Sequence, residues 1–293
     1  DRETQVKKLL FQLDTDAMPS VFDTVVAYDG GADHVTPLAG MTPEGCQAAV
    51  EGAIYTRPPA EKKNTALFIG GSDMARGDAL LAAVRKPFFS GFRVSVMLDS
   101  NGGNTTAAAA VALLANSTSL QDKTAVVLAG TGPVGSRAAA LLAKEGANVR
   151  LASRSLERAE AACQALHERF GVTLTAADTG SGDTQRSALE DAEIILAAGK
   201  AGVRLLGRND WERLASLEVI ADISTAPPTG VEGVDLTDRA AMRAGKRAFG
   251  GLGIGSLKLR LHRACIARLF ESNDQVLDAE AIYDIARDLI QRT

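Results

Sequence analysis

Aromatic residues make up only 4% of this 293-residue chain, with a single tryptophan. A core so poor in rings must be built from aliphatic side chains, and the 28 glycines suit helices packed close on parallel sheets. Cysteine is also scarce. Cys46, Cys163 and Cys265 are odd in number, far apart and without C-x-x-C spacing, which argues against a disulfide framework and predicts reduced thiols in the cytoplasm. The three histidines, His34, His167 and His262, share no metal-ligand spacing, so no metal is expected. His167 reads as a helix-surface residue and His262 as a packed helical one. Basic residues are not in excess: 32 Lys and Arg against 36 Asp and Glu give a formal charge of −4, a poor basis for a nucleic-acid partner. Long apolar runs are missing too. "AAAAVALLA" is too short to span a bilayer, and the polar start "DRETQVKK" has no apolar stretch after its basic residues, so no membrane partner is expected. Neither G-x-S-x-G nor G-x-x-x-x-G-K-[ST] occurs, which removes support for a hydrolase triad and for a phosphate-loop nucleotidase.

What is present is a series of apolar runs separated by helical segments, the pattern of parallel βαβ units. In the first half, "KKLLFQLD", "TALFIGG" and "FRVSVMLDS" read as strands, and "PSVFDTVVAYDGG" as a helix with Val21, Val25 and Val26 on one face. After the helix "NTTAAAAVALLANS" a second series begins: strand "TAVVLAG", helix "VGSRAAALLAKEG", strand "NVRLASR", helix "SLERAEAACQALHERF", then strands "AEIILAAG" and "LEVIADIS". "DTGSGDTQ" reads as an exposed loop, and "DAEAIYDIARDLIQRT" as an amphipathic helix. The fold class is α/β with two domains, the second a doubly wound parallel sheet of the Rossmann type. The expected boundaries are 1–105, 106–262 and a C-terminal helical segment, 263–293, returning to the first domain.

Within the second series Gly130, Gly132 and Gly135 form G-x-G-x-x-G. Alone this pattern is weak, but here it follows a strand and opens a helix, which is the context a dinucleotide fingerprint requires. Gly130 permits the tight turn, Gly132 lets a pyrophosphate approach, and Gly135 lets the helix pack on the strand. Thr131, Pro133 and Val134 complete the turn, whose free amides and helix dipole favour phosphate. The next strand ends in Ser153, Arg154 and Ser155 where an NAD-selective site commonly has Asp or Glu. Arg154 suits a 2′-phosphate, with Ser153 and Ser155 as hydrogen-bond donors, or it is a solvated surface arginine. NADP is favoured and NAD remains open. Ala198 and Gly199, ending "AEIILAAG", complete the expected cofactor contacts.

Ligands of open α/β sheets sit beyond the carboxyl ends of the strands. "LDTDAMPSVFD" places Asp14, Thr15, Asp16 and Ser20 there, and "MLDSNGGNTTAAA" places Asp99, Ser100, Asn101, Asn104, Thr105 and Thr106. Asp14, Asp16, Ser20, Asp99, Asn101, Thr105 and Thr106 are the substrate candidates, although the same residue types cap helices and make turns. In "KRAFGGLGIGSLKLRLHRACIARLFES", Gly250, Gly251, Gly253 and Gly255 are expected to bring backbone close to a ligand, Gly253 as a cofactor contact. The helix after them is expected to start near Lys258, which is either a functional cation or a surface lysine.

"KLLFQLDTDAMPSVFDTVVAYDGGADHV", "MLDSNGGNTTAAAAVALL", "VVLAGTGPVGSRAAALLAKEGA" and the glycine-lysine-histidine segment just quoted together resemble the NAD(P)-dependent methylene-tetrahydromethanopterin dehydrogenases of methylotrophic bacteria. The resemblance runs from about Lys7 to the C-terminal helix. It implies two α/β domains with a cleft between them, NADP or NAD as cosubstrate on the second domain, no flavin, a tetrahydromethanopterin-type substrate and a homo-oligomer, trimer or hexamer. It also implies reversible hydride transfer from methylene-tetrahydromethanopterin in the one-carbon metabolism of formaldehyde oxidation. Members of the family divide by pterin and cofactor, and the segment "QLDTDAMPSVFDTVVAYDGG" points to the group that uses either nucleotide. Two other readings fit the residues: a methylene-tetrahydrofolate or shikimate-like NADP dehydrogenase, and a non-catalytic NADPH-sensing binding protein.

Overall fold

A computed structural model describes residues 6–292; the polar start, residues 1–5, and residue 293 lie outside them. The chain divides into two units, one holding the residues up to Thr105 with Leu259–Ile285, the other Thr106–Lys258 with the residues from Ala286 on.

The first unit opens with β1 (Leu9–Asp14), α1 (Val21–Asp29), β2 (His34–Leu38), α2 (Gln47–Tyr55), β3 (Thr65–Gly70), α3 (Met74–Arg85) and β4 (Ser95–Leu98). Then α4 (Gly103–Ser117) leads into the second unit. That unit continues with β5 (Thr124–Leu128), α5 (Pro133–Lys144), β6 (Asn148–Ser153), α6 (Leu156–Phe170), β7 (Thr175–Asp178), α7 (Gly182–Leu189), β8 (Ile194–Ala197), α8 (Arg208–Trp211), β9 (Val219–Asp222), β10 (Arg239–Arg243) and β11 (Lys246–Phe249). α9 (Gly251–Leu269) runs back into the first unit, which adds β12 (Val276–Leu277), and α10 (Ala279–Gln291) is divided between the two.

All the strand pairs of the first sheet are parallel, in the order β12-β4-β3-β1-β2. β3 and β4 are buried along their whole length, which is why "TALFIG" and "SVML" are continuous apolar runs rather than alternating ones. Leu13, Leu67, Ile69, Val96 and Leu98 from the strands pack with Val50, Ile54, Leu80 and Val84 from α2 and α3. β2, at the sheet edge, tolerates Pro37, as an edge strand can.

The second sheet has the order β10-β11-β9-β8-β5-β6-β7, parallel except for β10. The order runs outward in both directions from β5, so the topological switch lies at β5, where doubly wound folds bind ligands. Val126, Leu128, Ile195 and Ile220 pack with the buried Trp211 in its core.

Several local expectations are corrected. Val21 and Val25 are exposed, 74% and 52%, and α1 buries Val26 and Ala27 instead. "DTGSGDTQ" is not all loop: it ends β7 and opens α7, where Ser181 and Thr184 form a capping box. α9 begins at Gly251, two turns before Lys258. Among the described residues no helix is long and apolar enough to cross a membrane.

Candidate functional site

In the second unit the turn after β5 is fixed by backbone hydrogen bonds. Gly130 N–H donates to Ala152 O at 2.8 Å, and Gly132 N–H to Ala129 O at 3.2 Å. The space around each glycine separates their roles. A Cβ on Gly130 would stand 2.8 Å from the Leu151 side chain, and one on Gly135 would stand 2.7 Å from Ala129 O and 2.8 Å from Gly130 Cα. Those two glycines serve the protein's own packing. A Cβ on Gly132 would meet nothing closer than Ala129 O at 3.5 Å, so its outward side is open to a ligand. Pro133 occupies the first turn of α5, and no side chain caps that helix, leaving its first amides oriented for an anion. These features fit a dinucleotide pyrophosphate. Thr131 is exposed and Val134 half-buried beside them.

At the end of β6 Ser153 is buried and Arg154 exposed. Ser153 Oγ accepts from Ser155 N–H, and Ser155 Oγ caps α6 by accepting from Arg158 N–H, both at 3.3 Å. The two serines therefore already shape the turn, leaving Arg154 as the charged group turned outward. Ala198 N–H donates to Leu128 O at 3.0 Å, binding the end of β8 to β5, and Gly199 follows it, packed against Leu205.

Among the late glycines, Gly250, Gly251 and Gly253 lie against the protein's own backbone, whereas a Cβ on Gly255 would meet nothing within 4 Å. Gly250, Leu252 and Gly253 donate their amides to the carbonyls of Asp238 and Leu236. A Cβ on Gly253 would fall 2.0 Å from Asp238 O. The close approach that demands glycine there is thus to the protein's own backbone. Lys258 is half-buried on α9.

In the first unit the loops after β1, β2, β3 and β4 meet at one sheet edge. Asp14 is buried at the end of β1; its Oδ1 accepts from Asp16 N–H at 2.9 Å and its Oδ2 from Ser20 N–H at 3.0 Å. Ser20 caps α1 by accepting from Asp23 N–H. Asp99, 0% exposed, accepts from Thr105 N–H at 2.9 Å and from its hydroxyl at 2.6 Å. Both carboxylates are loop clamps. Asp16 keeps about a third of its side chain exposed, accepts from Ser72 N–H at 2.8 Å and lies 3.9 Å from Arg76. Asn101 is exposed with φ +53°, and its N–H donates to Gly71 O at 2.6 Å. Thr106, half-buried, is the first residue of the other unit.

Ser72 and Arg76 were missed. They follow β3, and applying the strand-end rule to "TALFIGGSDMAR" as well would have found them. His262 is 0% exposed, stacked on Phe68 with ring centroids 5.5 Å apart, its Nδ1 3.9 Å from Asp99 Oδ2. Burial pushes the Cys265 thiol up, with the Asp99 charge adding to the shift, so the thiol stays protonated. Among the described residues no group of three or more His, Cys, Asp or Glu gathers as a metal site.

Comparison with known proteins bears on this geometry. Residues 21–101 match a family model described as methylene-tetrahydromethanopterin dehydrogenase, N-terminal. The chain is 54% identical over 285 residues to the bifunctional protein MdtA of Methylorubrum extorquens strain AM1, covering 97% of this chain and 99% of that protein. It is 30% identical to the NAD(P)-dependent methylenetetrahydromethanopterin dehydrogenase of the same organism, covering 92% and 94%. The higher identity is to the bifunctional protein, so the opening aspartate segment does not by itself mark the subtype named for NAD(P). Among solved structures, quinate dehydrogenase of Corynebacterium glutamicum in complex with NAD has a TM-score of 0.53 at 12% identity, covering 95% of this chain and 98% of that one. Shikimate 5-dehydrogenase of Listeria monocytogenes has 0.51 at 13%, covering 97% and 98%; these two likenesses concern the fold alone. On the two near-complete sequence relatives, this chain belongs to the methylene-tetrahydromethanopterin dehydrogenase family.

Proposed function

We propose that the chain is an NAD(P)-dependent methylene-tetrahydromethanopterin dehydrogenase, acting in the one-carbon metabolism of formaldehyde oxidation. The observation that carries this reading, within the family, is the turn at Gly132, open to a ligand where Gly130 and Gly135 are closed by packing. The methylene carbon between two pterin nitrogens loses a hydride and becomes the methenyl cation, stabilised by the adjacent nitrogen lone pair. Bound nicotinamide supplies the two-electron acceptor for that hydride. No proton is released and no protein nucleophile is required.

The residues therefore act by positioning, an effect that can supply roughly 7 to 11 kcal/mol. The glycine turn and the start of α5 hold the pyrophosphate, with Ala198 and Gly199 beside them. Arg154 takes the 2′-phosphate when the nucleotide is NADP. In the first unit Asp14 and Asp99 hold their loops, Asp99 through the buried Thr105, and Asp16, Ser20 and Asn101 present polar groups to the pterin. Asp16, the most exposed of the three carboxylates, is the one suited to stabilise developing positive charge. Lys258 would oppose that charge if placed beside it, so we assign it to a pterin oxygen, where it orients the ring. Thr106 and Gly253 stand as weaker contacts. A cytoplasmic setting is supported by three thiols without disulfide partners, and a trimer or hexamer by the family resemblance.

The test is oxidation of methylene-tetrahydromethanopterin and of methylene-tetrahydrofolate, each with NAD and with NADP, followed by absorbance. Turnover of the methanopterin substrate supports the reading, and the four rates set its subtype. Binding of NADPH without turnover of either pterin overturns the substrate assignment. Lys258→Ala should raise the pterin KM with a smaller change in the nucleotide KM; unchanged kcat and KM in a folded variant remove Lys258 from the site.

A further inference from the structure

A cavity of about 580 Å³ in the second unit is lined by Arg204, Arg208 and Arg243 together with Pro227, Pro228 and Thr229. Each guanidinium is already paired, with Glu232, with Glu212, or with Asp235 and Asp238, so the cavity offers an anion no unspent charge. The loop that supplies its prolines is more informative.

That loop leaves the end of β9 at Asp222, a residue 2% exposed that neither the motif nor the family resemblance singled out. Asp222 Oδ1 accepts from Ser224 N–H at 3.0 Å and Oδ2 from Val231 N–H at 3.0 Å, and the Gly230 N–H also points to the carboxylate. One side chain thus closes both ends of the loop 223–230. The closure is tight: a Cβ on Gly230 would stand 2.8 Å from Asp222 Oδ1. Gly230 O in turn accepts from the amides of Leu205 and Leu206, and Ser224 Oγ donates to Ala226 O.

The loop lies on the sheet edge that carries the glycine turn. Asp222 pairs with Ala197 in register, Ile223 N–H donates to Ala197 O, and Ala198 N–H donates to Leu128 O just before the turn. The ends of β5, β8 and β9 are therefore laced together. In a doubly wound sheet, a dinucleotide with its pyrophosphate on the turn after β5 and its adenosine over β6 extends its other half toward the strands on the opposite side of the switch, here β8 and β9. The loop also seats α9: a Cβ on Gly251 would fall 2.0 Å from Ser224 O.

We propose that Asp222 is a positioning residue for the nicotinamide half of the cofactor, fixing the loop 223–230 as the wall against which that half is held. This rests on the dehydrogenase reading of the same site. Asp222 acts through the loop backbone and touches no reacting atom.

The test compares two ligands on Asp222→Asn, in which one acceptor becomes an amide donor facing an N–H. NADPH spans both halves of the site, whereas adenosine 2′,5′-bisphosphate occupies only the adenosine half. Losing a buried hydrogen bond to a charged group should weaken NADPH binding about tenfold and lower kcat by at least about as much. Affinity for adenosine 2′,5′-bisphosphate should stay within about twofold. Equal weakening of both ligands, as general loosening of the unit would give, overturns the proposal, and so do unchanged NADPH affinity and kcat. If Asp222→Asn does not fold, Ser224→Ala carries the same test with a smaller expected effect, about threefold on NADPH alone, for one neutral hydrogen bond. Wild-type protein that binds NADPH but oxidises no pterin defeats the dehydrogenase reading while leaving the two-ligand contrast intact as a test of Asp222.

Discussion

The two units prepare their ligand edges by opposite means. The second unit does it largely by omission: side chains are missing at Gly130, Gly132 and Gly135, and backbone amides at the start of α5 are left for the ligand. The first unit does it by insertion, burying Asp14 and Asp99 at strand ends so that their oxygens hold the following loops. An edge made by omission depends on space, so an added methyl group damages it. An edge made by insertion depends on satisfied acceptors, so loss of a charge damages it.

The sharpest break of this comparison lies within the glycine turn. Gly135→Ala drives a methyl group into two backbone atoms that cannot move aside, and should cost about 3 kcal/mol, the upper end for overpacking. Gly132→Ala meets only ordinary contact, and should leave stability within about 0.5 kcal/mol of wild type while weakening NADPH binding. Thermal melts and NADPH titration of the pair separate packing from ligand space. Full NADPH affinity in Gly132→Ala would show that its open side does not face the cofactor.

Next in size is the same question put to the first unit. Asp99→Ala removes the acceptor of both the Thr105 amide and its hydroxyl, and should destabilise by about 2 kcal/mol. Affinity for NADPH should not change, because the clamp belongs to the other unit. A denaturant melt with a parallel NADPH titration checks both halves; a variant as stable as wild type would mean that Asp99 does not hold its loop.

This contrast explains what was legible in the residues. The turn at Gly130 could be read because strand, glycines and helix each constrain the next. Asp14 and Asp99 were found, but residue type alone could not separate a loop clamp from a substrate contact, since both draw on the same residues. Asp222 was overlooked because "VIADIS" carries no glycine signature, although it ends a strand as Asp14 does. Val21 and Val25 were misplaced because nine residues rich in apolar side chains do not define a face by period alone. Gly253 is harder to read, because close approach to a carbonyl of the same chain and close approach to a cofactor demand the same residue. β2 and β10 went unseen: both lie at sheet edges, where short strands with exposed or half-exposed positions resemble loops.

Arg154 tests the charged part of the second unit's edge. Arg154→Ala should lower kcat/KM for NADP about tenfold, the scale of one charge-assisted contact, and leave kcat/KM for NAD nearly unchanged. Equal losses with both nucleotides would place the arginine outside the 2′-phosphate site. Because Ser153 and Ser155 are occupied with the backbone of the turn, their replacement should act on the turn itself and affect both nucleotides together.

The smallest effect comes from the opposite edge of the same sheet, where no ligand is expected. Lys123, just before β5, donates to Glu218, just before β9, and Thr118 Oγ1 donates to the same carboxylate oxygen at 2.5 Å. The Lys123 bond first, and then the Thr118 bond, hold the Glu218 carboxyl below the usual range. A carboxyl lowered on folding stabilises the protein above its unfolded value, about 4.3, and that contribution is lost as pH falls through the lower folded value. With 44% of the Glu218 side chain exposed, the contribution should be at most about 1 kcal/mol. Glu218→Gln should therefore melt slightly below wild type at neutral pH, and the gap should close as the solution is acidified below about pH 4. NADPH affinity should be the same in both proteins. A gap that persisted in acid would show that Glu218 stabilises by packing and not by charge. A change in NADPH affinity would mean that the two edges of this sheet are not independent, and the separation of ligand-holding from stability drawn between them would fail.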